Sequence, residues 1–169
     1  MTISPSAFRA GPTVGAGAPT AYEPEAYELL DESPEGMYEL FEARGWGDGL
    51  PLVPPTPERV DAMLAHATGD VDEVLCALLP RAGLVTRRIV AINAVLAGCP
   101  PEVFPVVLSA VRALAMPEVN LRGVNATTHL VAPMLVVHGE AVKACGFNAG
   151  VGAFGPGNRA NATVRSPLM

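Results

Sequence analysis

Residues 86–116 read TRRIVAINAVLAGCPPEVFPVVLSAVRALAM, and this stretch is long and apolar enough to hold two helices. The first runs from Thr86 to Ala97 and is closed by Gly98, a residue suited to the left-handed turn that ends a helix. The second spans Glu102 to Met116. Pro105 is tolerated there because it falls near the first turn, where backbone N–H groups have no intrahelical acceptor.

Working outward toward the N-terminus, EVLCALLP (residues 73–80) is a short, continuous apolar run of the kind that suits a buried strand. Before it, Thr56 and Pro57 open a helix that places Val60, Met63, Leu64 and Ala67 on one face. The preceding segment GWGDGLPLVPPTPERV (45–60) carries Pro51, Pro54 and Pro55 ahead of that helix and reads as a stiff extended loop. A further helix starts at Ser33 as N-cap and Pro34, and runs through Met37, Leu40 and Phe41 to Gly45. Residues 1–21 are rich in Gly, Ala, Pro, Ser and Thr and read as a disordered tail.

Toward the C-terminus, NLRGVNATTH (120–129) and APMLVVHG (132–139) read as two strands, each ending at a histidine. EAVKACG (140–146) follows as a short helix stopped at Gly146. The expectation is an α/β or α+β chain: a tail over 1–21, then a single domain over 22–169 with a small mixed sheet packed by helices. No internal repeat is visible.

Composition narrows the function. Half of the 169 residues are apolar, enough for one domain with a real core, and no apolar run approaches the roughly 20 residues a membrane span needs. The N-terminus has no basic start followed by an apolar core, so a cytoplasmic protein is expected. Cys76, Cys99 and Cys145 are odd in number and far apart, which fits reduced thiols. Up to Glu73 the chain holds 14 of its 17 carboxylates, against Arg9, Arg44 and Arg59; beyond it three acids face eight basic residues. Those basic residues are scattered among apolar segments without aromatic platforms, so a small anionic ligand is expected and nucleic acid is not.

The chemistry-bearing candidates fall in four places. In GAFGPGNRANATV (152–164), Gly155 and Gly157 allow close backbone approach, a helix beginning near Asn158 would present free N–H groups, and Arg159 offers a planar fork to a carboxylate or phosphate. The segment lacks a nucleotide-loop pattern, and it reads equally as a plain turn between strand and helix. In RGVNATTHLVAP (122–133), His129 sits among Asn125, Thr127 and Thr128 and suits a general acid, a general base or a metal ligand. His138 reads as a strand terminus and His66 as a surface residue. Cys99 and Cys145 are the candidate thiols, although a helix C-terminus disfavours a thiolate at Cys99; Cys76 reads as a packing residue. Asp48 and Trp46, on the proline-stiffened loop, are candidates for a wall of the site, with backbone capping the stronger reading for Asp48. A closed zinc site is not spelled by this spacing, whereas an open one using His129 and a thiol stays possible on residue types alone.

Taken together, GDGLPLVPPTPERVDAML, AINAVLAGCPPEVFPVVLSAV, GVNATTHLVAP and FGPGNRANAT resemble a bacterial family of largely uncharacterised proteins associated with UGSC-motif (seleno)proteins. The resemblance covers residues 46–165 and implies an enzyme-like protein of thiol-redox or lyase type. Members of that family continue past the NRANAT phrase, and the UGSC motif itself is absent here. The expectation that follows is a lyase or hydrolase subunit for small-molecule metabolism, completed by a second subunit or by another copy of itself. No fingerprint of a nicotinamide or flavin cofactor is present. Two other readings stand beside it: a non-catalytic binding or scaffold subunit, and a metal-dependent lyase.

Overall fold

The computed structural model describes residues 2–3, 27–28, 33–46, 49–78 and 83–164. In chain order they form β1 (Thr2–Ile3), β2 (Tyr27–Glu28), α1 (Pro34–Ala43), α2 (Pro57–Leu64), β3 (Val74–Leu78), β4 (Gly83–Thr86), α3 (Arg87–Leu96), α4 (Phe104–Leu114), α5 (Leu121–Ala126), α6 (Glu140–Ala144) and α7 (Arg159–Thr163). Short 3-10 turns at Pro101–Val103 and Pro117–Val119 lead into α4 and out of it. The fold is mixed α/β. β1 pairs antiparallel with β2, and β3 with β4.

Helix α3 is the centre of the core. Val90, Ala91, Ile92, Ala94, Val95 and Leu96 are all buried, so the helix is covered nearly all round, as its largely apolar composition requires. Helix α2 packs on one side through Val60, Met63 and Leu64, and α4 on another through Phe104, Val107, Leu108 and Val111. Phe104, the largest of the fully buried side chains, sits at the start of α4. The proline-rich stretch is tied in directly, because the Val53 N–H donates to the Leu96 carbonyl at 3.0 Å.

Local signals placed the four larger helices. The Ser33 hydroxyl accepts from the Gly36 N–H at 3.0 Å and Pro34 occupies the first turn. Thr86 caps α3 through the Ile89 N–H. Three helices then end in the same way. At Gly45, Gly98 and Gly146 the chain turns through positive φ, the glycine N–H bonds three residues back, and the next N–H bonds five residues back. The residue after each glycine is thereby turned toward the apolar side of its own helix. Those residues are Trp46, Cys99 and Phe147.

Arg87, at the start of α3, is buried yet charged. Its guanidinium donates to the Asp70 carbonyl and, at 3.1 Å, to the Glu73 carboxylate, which stays half in solvent. Beside it, Arg88 grips Asp72 with two bonds of 2.7 and 3.0 Å, which holds the Asp72 carboxyl below its usual range. These pairs join the turn before β3 to the end of the β4 strand.

Several expectations need correction. The run 73–80 is a strand only over Val74–Leu78, and it is a partly exposed hairpin arm, since its partner β4 covers an edge and not a face. Leu79 and Pro80 lie outside the described residues, as does most of the tail, whose Thr2–Ile3 forms the two-residue pairing with β2. Residues 121–126 form a helix instead of a strand. Asn120, in the left-handed region at φ 47°, turns the chain, and its side-chain oxygen accepts the Gly123 N–H, a helix start that outweighs the apolar spacing. Residues 130–138 pass without turn or bend but join no ladder. Among the described residues no helix is long and apolar enough to cross a membrane.

Candidate functional site

The glycine run between α6 and α7 is held by three asparagines. Asn158 is the N-cap of α7: its side-chain oxygen accepts the Asn161 N–H at 2.9 Å, and its amide nitrogen donates to the Gly146 carbonyl at 2.9 Å. Asn161 reaches back into the loop, donating to the carbonyls of Asn148 and Ala153, each at 3.0 Å, while accepting the Asn148 N–H at 2.9 Å. Asn148 in turn accepts the Gly150 N–H and donates to the Val151 carbonyl. The loop is therefore closed by its own side chains.

This arrangement redirects the backbone groups that a phosphate-type cradle would use. The N–H groups of Asn148, Gly150, Ala153 and Gly155 are spent inside the loop. Gly157 turns through φ 107° with nothing within 4 Å of where a Cβ would stand. Gly155 has a packing role, since a Cβ there would lie 3.3 Å from the Gly152 carbonyl oxygen.

On the opposite side of α7, the helix docks against the end of α3. Arg159 donates from Nε to the Gly98 carbonyl at 2.7 Å, where the negative end of the α3 dipole favours a cation. Cys99 Sγ donates to the Thr163 carbonyl at 3.1 Å. Burial pushes the Cys99 thiol up, outweighing the Thr163 bond and the Arg159 charge, which pull the other way. Cys145 is buried too and donates to the Glu102 carbonyl at 3.2 Å; burial, then the Glu102 charge, raises its thiol. Both sulfurs act as docking donors between segments far apart in the chain. Cys76, on β3, is half-buried and also raised by burial.

The reactivity that follows is low. In the folded protein at neutral pH, iodoacetamide is expected to modify Cys99 and Cys145 at least tenfold more slowly than in urea-unfolded chain. Peptide mapping by mass spectrometry reads this directly; labelling of Cys99 at the unfolded rate contradicts the docking role.

The remaining candidates are dispersed. Asn125 is exposed on α5, and Thr128 and His129 lie exposed in the turn after it, where the His129 N–H bonds the Thr127 hydroxyl at 3.1 Å. Trp46 packs on Phe41, with ring centroids 6.0 Å apart, and the Arg44 guanidinium lies 5.7 Å over its ring, so its place is explained by the closure of α1. Asp48 lies outside the described residues. Cys99 and Arg159 are brought together, as are Asn158 and the glycine loop. His129 and Thr128 do not line the cleft described next.

That cleft, of about 610 Å³, is the feature that sequence reasoning missed. Its walls are the second half of α4 with Leu114, the segment between α5 and α6 with Met134 and Leu135, and the α6–α7 region with Val142, Phe147 and Phe154. Asn148 and Asn161, both committed to the loop, edge it. The available signal was the pair Asn158 and Asn161, three apart on a helix beside a glycine run. Among the described residues no group of three His, Cys, Asp or Glu side chains could hold a metal ion. No family model, curated protein or solved structure matches the chain.

Proposed function

We propose that this chain is the ligand-binding subunit of a small-molecule enzyme of lyase or hydrolase type, with a partner polypeptide supplying reactive groups. The observation that carries this reading is the cleft itself: its volume is in the range of small-molecule sites, its lining is largely apolar, and one wall is a loop braced into a fixed shape. The ligand is an anionic or carbonyl-bearing molecule with a substantial apolar body. Its apolar body lies against Leu114, Phe147 and Phe154, and its polar end lies at the edge formed by Asn148 and Asn161.

A binding role suits the thiols better than catalysis by this chain alone. Both buried sulfurs are hydrogen-bonded to carbonyls and held in the neutral form, so neither is poised as a nucleophile. His129, exposed after α5, stays the candidate proton carrier, at a place the partner would have to reach.

Titration calorimetry with medium-chain carboxylates and the matching amides tests the proposal. Saturable binding is expected in the wild type and a loss of at least tenfold in affinity in Ala153→Trp, which fills the cleft, with circular dichroism unchanged. Absence of saturable binding, or turnover by the isolated chain that vanishes in Cys99→Ser while the fold persists, overturns it.

A further inference from the structure

We infer that the cleft between α4, α6 and α7 selects a neutral carbonyl compound, such as an amide, ester or ketone on an apolar chain, and discriminates against the corresponding carboxylate. This rests on the reading of the cleft as a ligand site and narrows its ligand from anionic or carbonyl-bearing to the second of the two.

The first ground is that the walls carry no charge. Among the described residues that line the cleft there is no Asp, Glu, Lys, Arg or His, and apart from Asn148 and Asn161 every lining side chain is apolar. All polar atoms of these walls therefore belong to neutral amides of the backbone or of the two asparagines. A carboxylate that enters gives up water and meets no cation, which costs far more than the same step does for a neutral carbonyl group.

The second ground is where the nearby cations go. Arg159 follows directly on the glycine run, yet its Nε donates to the Gly98 carbonyl at 2.7 Å, at the end of α3. On α4 the lining positions are Ala110, Ala113 and Leu114, three and four apart and so on one face of the helix. Arg112, beside Ala113, and Lys143, beside the lining residue Val142, are exposed and stand outside the lining.

The third ground is what the two asparagines at the edge have left to give. Asn161 spends its side-chain N–H groups on the Asn148 and Ala153 carbonyls, and Asn148 spends one of its own on the Val151 carbonyl. Each side-chain oxygen already accepts one backbone N–H, from Asn148 and from Gly150. Among the described residues this leaves the second Asn148 N–H and the spare lone pairs of the two oxygens. The N–H suits a carbonyl oxygen, and the oxygens suit the N–H groups of a primary amide. A carboxylate brings acceptors alone and sets its charge against those oxygens.

Titration calorimetry of the full chain with octanamide and octanoate tests the inference. At pH 7 octanamide is expected to bind at least tenfold more tightly than octanoate. Octanoate, where it binds, is expected to gain affinity from pH 7 to pH 6 as its neutral fraction rises, because no titratable side chain lines the cleft, while octanamide stays constant. Ala113→Lys places a cation on an exposed position of the α4 wall. With circular dichroism unchanged, it is expected to lower the preference for the amide at least fivefold. A wild-type preference below tenfold, an octanoate affinity that does not rise toward pH 6, or a smaller change in Ala113→Lys overturns the inference and leaves the cleft as a ligand site in place. Absence of binding by both probes removes that reading and the inference together.

Discussion

Phe104→Ala is expected to cost about 3–5 kcal/mol, the largest single loss available to a side-chain truncation in this core. Phe104 is fully buried where the 3-10 turn at Pro101–Val103 passes into α4, among residues that pack on α3. Because α3 is already enclosed by α2 and α4, little can collapse into the space a missing ring leaves, and the cavity term adds to the lost burial. For a domain whose whole stability is of the order of 5–15 kcal/mol, that is a large share. Urea unfolding followed by tryptophan fluorescence checks it, with Trp46 as the reporter packed on Phe41. A loss under about 1 kcal/mol, with the slope of the transition unchanged, shows that Phe104 is not central to the core.

Asn161→Ala is expected to cost about 2–4 kcal/mol, at the rate of roughly one per bond, because a single side chain makes three hydrogen bonds to the loop backbone. The effect concentrates in residues 147–157, which then become the first site of limited proteolysis. Asn161→Asp separates the bonds from the shape. It keeps the acceptor for the Asn148 N–H but turns the two donor bonds into a carboxylate facing the Asn148 and Ala153 carbonyls, so it should be at least as damaging as alanine. An aspartate variant as stable as the wild type contradicts the brace.

The helices of the core were legible because their ends carry local chemistry. Ser33 before Pro34, Thr56 before Pro57, and Gly98 after a long apolar run each specify a boundary that tertiary packing then respects. Residues 120–138 misled for the opposite reason. Their apolar run at 130–137 is real, but an apolar run does not say whether a pairing strand is present. At Asn120 a one-residue left-handed turn decided for helix, a signal weaker in sequence than the apolar spacing around it.

For the candidate site, the sequence located the loop and named Asn158 and Arg159 as its neighbours. It did not say where their bonds go. That depended on Asn161, whose amide turns the loop inward, and on Gly98, whose carbonyl takes the Arg159 guanidinium from a distant part of the chain. Spacing identifies groups able to meet a ligand; whether they are already occupied is a property of the folded chain.

Helix α7 is five residues long, too short to be ordered by its own propensity, and it carries the Asn161 side of the cleft on one face and the cover over Cys99 on the other. An excursion that lifts it breaks the Asn161 edge of the cleft and the bond from Cys99 to the Thr163 carbonyl in the same event. The rate at which Cys99 takes up a thiol reagent is thereby a native gauge of that wall, with no reporter residue to be introduced.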